Sequence, residues 1–244
     1  MIYITGDTHG GVHTSKLNRK NFREQKTLTK NDFVIVAGDF GVVWTNGREQ
    51  DYWLNWFEEK PFTTLFVDGN HENFDLLNCY TVTQWNGGKI RKISGSVIQL
   101  MRGQVYFLDG QKIFTFGGGQ SQDKAYRVEG RSWWKEEMPS KEEYEEGLEN
   151  LKANAWNVDY VVTHTPTSSV IKHMRMKHRD KVYNTENELS DYLEEISRKI
   201  EFKKWFSGHL HLDDTAFDKF CAVFEGKQPI GEAAAPLAGR RLFF

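Results

Sequence analysis

Five short polar clusters in the chain carry side chains of the kind that bind metal ions. The clusters are Asp7-Thr8-His9, Gly38-Asp39, Gly69-Asn70-His71-Glu72, His164 and Gly208-His209-Leu210-His211. Imidazole, carboxylate and amide donors without a thiolate exclude a typical cysteine-rich structural zinc site and suit Mn, Fe, Zn, Ni or Co. A calcium cage would use more carboxylates. Because Asp7 and Asp39 are the only acidic residues among the expected ligands, two divalent ions here would keep positive charge and attract a phosphate.

The spacing within the clusters predicts how the donors meet. Asp7 and His9 are two residues apart, as are His209 and His211. Side chains at that spacing share one face of an extended backbone, so each pair is expected to point into one site. Glycines at 6, 38, 69 and 208 directly precede donor residues. At such positions the chain turns sharply and the backbone can approach an ion closely.

Each cluster follows a run of apolar, β-branched or aromatic residues that is typical of a β-strand. Ligand sites in open α/β sheets gather beyond the carboxyl ends of the strands, so clusters far apart in sequence are expected to converge. Five of the eight histidines stand in such places. The predicted strands are residues 1–5, 33–37, 64–67, 96–100, 105–108, 112–116, 159–163, 203–207 and 216–224.

Three segments have the apolar spacing of helices, at residues 49–60, 140–156 and 184–200. In the second, Ser140 followed by Glu143 predicts a capping box. Strands and helices alternate in the first half of the chain, which favours parallel pairing, whereas strand follows strand in residues 93–117, which favours antiparallel pairing. An α/β fold with one mixed sheet, or with two packed sheets and helices outside, accommodates both patterns.

The composition narrows the class of protein. The chain has 244 residues, of which 39% are hydrophobic and 27% charged, a net charge of −2 and two cysteines. These values are ordinary for a soluble protein and favour neither nucleic acid nor a membrane as partner. The start has no signal-peptide pattern, and no apolar run is long enough to span a bilayer, so a cytoplasmic location is expected.

The end of the chain differs in composition from the rest. Residues 231–240 are mostly small and are interrupted by proline. We therefore expect one domain over residues 1–228 and a tail over residues 229–244. The tail is either disordered or foreign to the native protein, or it is a docking segment.

In their order, the clusters resemble the calcineurin-like metallophosphoesterase superfamily, whose pattern is D-x-H, G-D, G-N-H-[ED], a lone H and G-H-x-H. The resemblance covers residues 1–211. It implies a four-layer α/β/β/α sandwich with two mixed sheets and two divalent metal ions at its edge, with Mn favoured. It also implies an enzyme that hydrolyses a phosphate mono- or diester.

The resemblance implies a role for each matching residue. Seven would hold the two metals: Asp7, His9 and His211 on one, Asn70, His164 and His209 on the other, and Asp39 bridging both. His71 would not bind metal. It would protonate the leaving oxygen as general acid, or at least stabilise it, while a metal-bridging hydroxide attacks the phosphate.

The chain departs from the protein Ser/Thr phosphatase branch after Asp39. That branch continues G-D-x-x-D-R-G, whereas residues 38–44 here read Gly-Asp-Phe-Gly-Val-Val-Trp. In that branch the Asp orients the catalytic His and the Arg holds the phosphate, so phosphoprotein hydrolysis is not expected. Residues 116–134 are similar to a subgroup of bacterial and phage metallophosphoesterases. Within them, Arg127 either replaces the missing Arg as a substrate-binding residue or has a structural or surface role.

The leading prediction is a phosphoesterase that acts on a small molecule or a nucleotide. A nuclease or phosphodiesterase acting on nucleic acid is an alternative that a basic groove would favour, and the five basic residues within 172–181 hint at one. A protein Ser/Thr phosphatase is a further alternative. A non-enzymatic scaffold of the same fold would have lost metal ligands, and all seven are in place here.

Overall fold

The computed structural model describes residues 1–179, 182–183 and 185–231. Within this part of the chain the strands are β1 (Ile2–Thr5), β2 (Phe33–Ala37), β3 (Thr63–Val67), β4 (Val82–Trp85), β5 (Gly88–Lys92), β6 (Val97–Leu100), β7 (Gln104–Leu108), β8 (Gln111–Phe116), β9 (Tyr160–Thr163), β10 (Lys204–Ser207), β11 (Asp214–Ala216), β12 (Phe220–Ala222) and β13 (Gln228–Ile230). The α-helices are α1 (Arg48–Glu58), α2 (Phe74–Leu77), α3 (Lys141–Ala153), α4 (Ser168–Lys177) and α5 (Glu188–Ser197).

The strands form two mixed sheets. The first has the order β13-β1-β2-β3-β6-β5-β4 and the second the order β11-β12-β10-β9-β8-β7. In the first sheet β1, β2, β3 and β6 are parallel, and in the second β8, β9, β10 and β12 are parallel. Antiparallel strands complete both edges of each sheet. The parallel strands of a sheet therefore end at a common edge, and the polar clusters begin there.

The two sheets pack face to face, and helices cover their outer faces. Alternate residues of a strand point to opposite faces, so Ile35 of β2 lies in one buried core with Phe206 of β10. On the outer face of the first sheet, Phe66 shares a core with residues of α1 and α2. On the outer face of the second, Phe116 packs with Leu193 of α5 and with residues of α3. This order of layers confirms the four-layer α/β/β/α sandwich.

Each predicted strand and helix has a counterpart, with one change of topology. The capping box of α3 is confirmed, because the Ser140 hydroxyl accepts the Glu143 N–H at 3.2 Å and the Glu143 carboxylate accepts the Ser140 N–H at 2.8 Å. The prediction of a single strand over residues 216–224 is wrong. Phe217 and Asp218 have positive φ angles of 51° and 59°, and they turn the chain between β11 and β12.

Five elements had no counterpart among the predictions, namely β4, β5, β13, α2 and α4. β4 is mostly exposed and lacks an apolar run, while β13 has three residues and contains Pro229. Because β13 pairs with β1, the first sheet includes two residues of the expected tail at 229–244. Residues 232–244 lie outside the described part, and the domain boundary stays a prediction. No helix among the described residues is long and apolar enough to cross a membrane.

We expect Phe66→Ala to destabilise the fold strongly. The Phe66 ring is fully buried and stacks on Phe40 with ring centroids 4.3 Å apart. Removing such a ring from a core costs about 3–5 kcal/mol, which urea unfolding measures. Phe107→Ala is the matched control, since Phe107 is 61% exposed and its loss should cost less than about 0.5 kcal/mol. Equal losses in the two variants would contradict this packing.

Candidate metal centre

Asp39, directly after β2, joins the loops that follow three neighbouring strands. Its peptide oxygen accepts the N–H groups of Thr8 at 3.1 Å and His9 at 2.8 Å, both in the loop after β1. Its carboxylate accepts the N–H of His71, in the loop after β3, at 2.7 Å. Asp39 is only 1% exposed. The predicted convergence of the first three clusters therefore occurs around this one residue.

One group of donors lies on the side of β1. The ligand atoms of Asp7, His9, Asp39 and His211 all lie within 4.8 Å of one another. Nε2 of His9 is 3.2 Å from Asp39 Oδ2, and Nε2 of His211 is 3.1 Å from Asp7 Oδ2. Residues at opposite ends of the chain thus present two imidazoles and two carboxylates to a common point.

The ring of His164 defines a second group. Its Nδ1 lies 3.0 Å from the carbonyl oxygen of Ala37. A carbonyl only accepts, so Nδ1 carries the proton of the neutral ring. The unprotonated Nε2 then faces Asn70 Oδ1 at 3.2 Å, Asp39 Oδ1 at 3.4 Å and His209 Nδ1 at 3.1 Å.

The positions of these acceptor atoms show whether the residues would fit a metal ion. Two carbonyl-type oxygens and the lone pair of His164 approach one another without a hydrogen between them. In addition, Nε2 of His209 is buried and has no hydrogen-bond partner among the described residues. A cation would satisfy Asn70 Oδ1, Asp39 Oδ1 and the facing nitrogens of His164 and His209 at once, whereas Nε2 of His209 lies on the other side of its ring. Imidazole with carboxylate is a donor set for divalent transition metals. The residues present therefore fit a metal centre that shares Asp39 between two donor groups.

The backbone at the donors corrects one step of the sequence argument. His9, Asp39, His209 and His211 have φ angles of 47°, 48°, 65° and 51°, in the left-handed region that non-glycine residues rarely adopt. The paired donors therefore do not share a site because they alternate along an extended strand. They meet because the chain turns tightly between them, and such strained backbone is concentrated at functional sites.

Glycine is required where the two sheets approach each other. A Cβ on Gly38 would lie 2.1 Å from Nδ1 of His164, and Gly38 itself has a φ of +90°. A Cβ on Gly208 would lie 2.2 Å from the carboxylate of Asp7. At these two glycines the backbone closely approaches donor side chains, and its approach to an ion stays a prediction.

Both carboxylates are ionised in spite of their burial. Burial would raise the pKa of the Asp39 carboxyl, but a hydrogen bond from His9 and the neighbouring His71 hold that pKa well below its ordinary value. The pKa of Asp7 is also lowered, against burial, by the hydrogen bond from His211. Burial and then the neighbouring His164 lower the pKa of His209 to about 3. Ionised carboxylates beside neutral imidazole are the protonation states that bind metal.

His71 lies beside these donors and belongs to neither group. Its ring centroid is 5.3 Å from that of His9, and its Nδ1 is 3.3 Å from Nη1 of Arg127. Burial lowers the pKa of His71, with Arg127 adding to the effect and Asp39 opposing it. His71, Arg127, Asp39 and Asn70 line a common cleft of about 400 Å³, which we name the Arg127 cleft. The structure thus brings together the seven expected metal ligands, His71 and Arg127.

Two supporting groups were not singled out by the sequence. Lys16 is 1% exposed, and its ammonium donates to the carbonyl oxygens of Asp7, at 2.8 Å, and Phe224. Burial lowers its pKa to about 8. Nδ1 of His13 lies 3.1 Å from Nδ1 of His9. Both residues come from a short 3₁₀ turn, Thr14–Leu17, and its preceding residue, where no periodic pattern signals a role.

Glu72 has a role that its place in the motif could have signalled. It is fully buried, and its carboxyl group accepts the N–H groups of Phe40 at 2.7 Å and Gly41 at 3.0 Å. Burial, and then the charge of Asp39, raise the pKa of this carboxyl well above its ordinary value. Glu72 thereby fixes the backbone that follows Asp39.

Comparison with known proteins agrees with this geometry. A family model described as calcineurin-like phosphoesterase matches residues 1–213. The chain belongs to the calcineurin-like phosphoesterase family. A comparison with curated proteins found no match. Members of the calcineurin-like family typically hold a dinuclear divalent metal site and act on phosphate esters, and the Asp and His donors of this chain fit that description.

We expect Asp39→Asn to lose at least one metal ion per chain and the activity with it. The change removes the carboxylate that both donor groups share, so the repulsion between adjacent cations is less compensated. Elemental analysis after dialysis measures the metal content. Asp123→Asn is the control for metal content, because Asp123 lines the Arg127 cleft without belonging to either donor group. Gly38→Ala keeps every donor but should also lose metal. Full metal content in Asp39→Asn would contradict the shared role.

Proposed function

We propose that the chain hydrolyses small phosphate mono- or diesters, nucleotides included, with two divalent metal ions, Mn favoured. Asp7, His9 and His211 would hold one ion, Asn70, His164 and His209 the other, and Asp39 both. Two adjacent divalent ions activate water and offset the negative charge that develops on the phosphate. The observation that carries this proposal is the lone pair of His164, which faces acceptor oxygens of Asn70 and Asp39.

In this proposal His71, the expected general acid, acts on the leaving oxygen as a hydrogen-bond donor. A guanidinium can only donate, so the contact from Arg127 Nη1 makes Nδ1 of His71 an acceptor and leaves the proton of the neutral ring on Nε2. The lowered pKa of His71 favours this neutral ring. Its Nε2–H then donates a hydrogen bond to the leaving oxygen and stabilises the negative charge that develops there as the ester bond breaks. Arg127 takes the orienting role that an Asp has in the protein phosphatase pattern.

Arg127 also binds the phosphate in this proposal. Its Nε pairs with Asp123 at 2.7 Å, and its Nη1 donates to the carbonyl oxygen of Ser132 at 3.0 Å. These contacts fix the guanidinium while Nη2 makes no protein hydrogen bond among the described residues. A guanidinium held in this way is suited to a phosphate oxygen.

Two buried valines argue against a phosphoprotein substrate. Val42 and Val43 stand where the protein phosphatase pattern has Asp and Arg, and they are 3% and 1% exposed. Both side chains belong to the apolar core outside the first sheet. This segment therefore offers no charged group near Asp39 in place of the missing Asp and Arg. Because serine alkoxide is a poor leaving group, the hydrolysis of phosphoserine should be slowed most.

The basic segment at residues 172–181 gives little support to a nucleic-acid substrate. Lys172 and Arg175 pair with Glu186 at 3.1 and 3.5 Å. Lys177 pairs with Asp214 at 2.7 Å. Residues 180 and 181 lie outside the described part of the chain. The positive charges of these three side chains are therefore compensated by neighbouring carboxylates. This favours a small substrate over a polynucleotide.

His71→Ala should lower kcat by about 10²–10⁴-fold, the usual contribution of a placed acid or base. Metal content should stay near that of the wild-type protein, because His71 belongs to neither donor group. Turnover of an aryl phosphate by the manganese-loaded protein and elemental analysis provide the two readouts. Loss of metal together with activity would instead make His71 a ligand.

Arg127→Ala should lower kcat/KM for an aryl phosphomonoester by about 10- to 100-fold, because hydrogen bonds to charged groups contribute about 1.5–3 kcal/mol. An aryl diester, with one charge fewer, should lose less. Arg131→Ala, an exposed arginine of the same loop, is the control.

A phosphoserine peptide should be a poor substrate for the wild-type protein. Phosphopeptide hydrolysis as fast as that of the aryl esters would contradict the assigned substrate class.

A further inference from the structure

A second cavity opens beside the donors and is distinct from the Arg127 cleft. Its volume is about 510 Å³, within the range of small-molecule sites, about 300–1,000 Å³. We name it the tryptophan recess. It is lined by Trp44 and Trp53, by Val42 and Glu49, and by His9 and His71. His71 also lines the Arg127 cleft, so the two cavities meet at the residue that contacts the leaving oxygen.

We propose that the tryptophan recess binds the nucleobase of a nucleoside phosphate, with the nucleoside as the leaving group. This inference rests on the proposed function. The water oxygen bonds to phosphorus, the bond from phosphorus to O5′ breaks, one water proton stays on the phosphate and the other ends on O5′. The products are a nucleoside and inorganic phosphate. With the phosphoryl oxygens held between the metals and Arg127, O5′ and the rest of the nucleoside extend past His71 into the recess.

Trp44 is a rigid wall for such a base. Its N–H donates to Gln50 Oε1 at 2.9 Å, and its carbonyl oxygen accepts from Asn73 Nδ2 at 2.9 Å. Its ring packs edge-on against Trp134, with centroids 5.5 Å apart. Because both the backbone and the ring are fixed before a ligand arrives, stacking on Trp44 costs little conformational entropy.

Trp53 is held in the recess by a glycine. A Cβ on Gly11 would lie 2.2 Å from Cζ2 of the Trp53 indole, so the ring lies flush against the Gly11 backbone. The indoles of Trp53 and Trp44 are the largest apolar surfaces in the recess. Stacking of a base on an aromatic side chain is independent of base identity and strengthens binding by roughly 5- to 100-fold.

The negative charge in the lining of the recess favours an uncharged ligand group. Its lining includes the carboxylate of Glu49, and no Lys or Arg is among the described residues that line it. A second phosphate or a carboxylate would be repelled there. A nucleobase is planar and neutral, and its amino groups can donate to an acidic rim. These properties favour a nucleobase over a sugar phosphate or an acidic peptide as the occupant.

The test compares two monoesters with the same leaving hydroxyl. Adenosine 5′-monophosphate and ribose 5-phosphate differ only in the base, so the ratio of their kcat/KM values measures what the base contributes. We expect the manganese-loaded wild-type protein to prefer the nucleotide by about 5- to 100-fold. Titration calorimetry of adenosine and of ribose, each with inorganic phosphate present, gives a second readout that needs no turnover.

Trp44→Leu and Trp53→Leu should each lower the ratio towards one, because kcat/KM falls more for the nucleotide than for ribose 5-phosphate. Two variants are used because either tryptophan also packs against its neighbours. Tyr126→Leu is the control, since Tyr126 is 92% exposed beside Arg127 and should leave the ratio unchanged. A ratio that falls in Tyr126→Leu but not in the tryptophan variants would move the base to the other cleft and overturn the inference.

The remaining outcomes separate this inference from the function on which it rests. Equal efficiency on the two monoesters, or no preference for adenosine over ribose in calorimetry, would overturn the tryptophan recess as a base site. Adenosine binding that depends on Trp44, without hydrolysis of any phosphate ester, would support the recess and contradict the proposed hydrolysis.

Discussion

The ionised carboxylate of Asp39 is buried at the carboxyl end of β2, where an isolated charge would cost several kcal/mol. Two interactions offset part of that cost, the N–H of His71 and the imidazole of His9, while the lone pair of His164 faces the same carboxylate. The peptide oxygen of the same residue also holds the loop after β1. The position of one side chain therefore fixes donors from both sheets. A cation shared at this carboxylate would offset the burial of charge and join the two donor groups at once.

The sandwich brings the remaining donors to Asp39. β9 and β10 are neighbours in the second sheet, and the loops that follow them deliver His164 and His209. The two sheets pack so closely at this edge that a side chain at Gly38 would overlap the His164 ring. Left-handed backbone at His209 turns the loop back towards Asp7. Such strain costs about 1–3 kcal/mol per residue, and it persists because the surrounding core determines the position of these loops.

The sequence was informative where its signals are local. Strands that end in glycine and a polar residue predicted the donors, and the spacing of apolar residues predicted most of the strands and helices. The arrangement in four layers was implied by the family resemblance. The burial of Lys16 had no such signal, because its acceptor on Phe224 is 208 residues away in sequence and a lysine in a polar segment is ordinarily exposed. The left-handed turns at His9 and His211 were likewise hidden, since they depend on contacts with Asp39 and Asp7 rather than on residue type.

The segment after Asp39 connects the fold to the choice of substrate. Val42 and Val43 bury their side chains in the core around α1, and full burial of such a side chain contributes about 1.5–3 kcal/mol. A charged pair at those positions would have to be buried with partners that the core does not offer. In the proposed enzyme, recognition of phosphate charge therefore falls to Arg127, on a different loop, while Trp44, next along the segment, lines the neighbouring recess. In the proposed enzyme His71 separates the two tasks, with the phosphoryl group on the side of Arg127 and the leaving group on the side of the tryptophans. Since Trp44 and Trp53 are neither metal donors nor phosphate contacts in the proposed enzyme, affinity for the leaving group can change through them without altering the metal donors or the contact of Arg127.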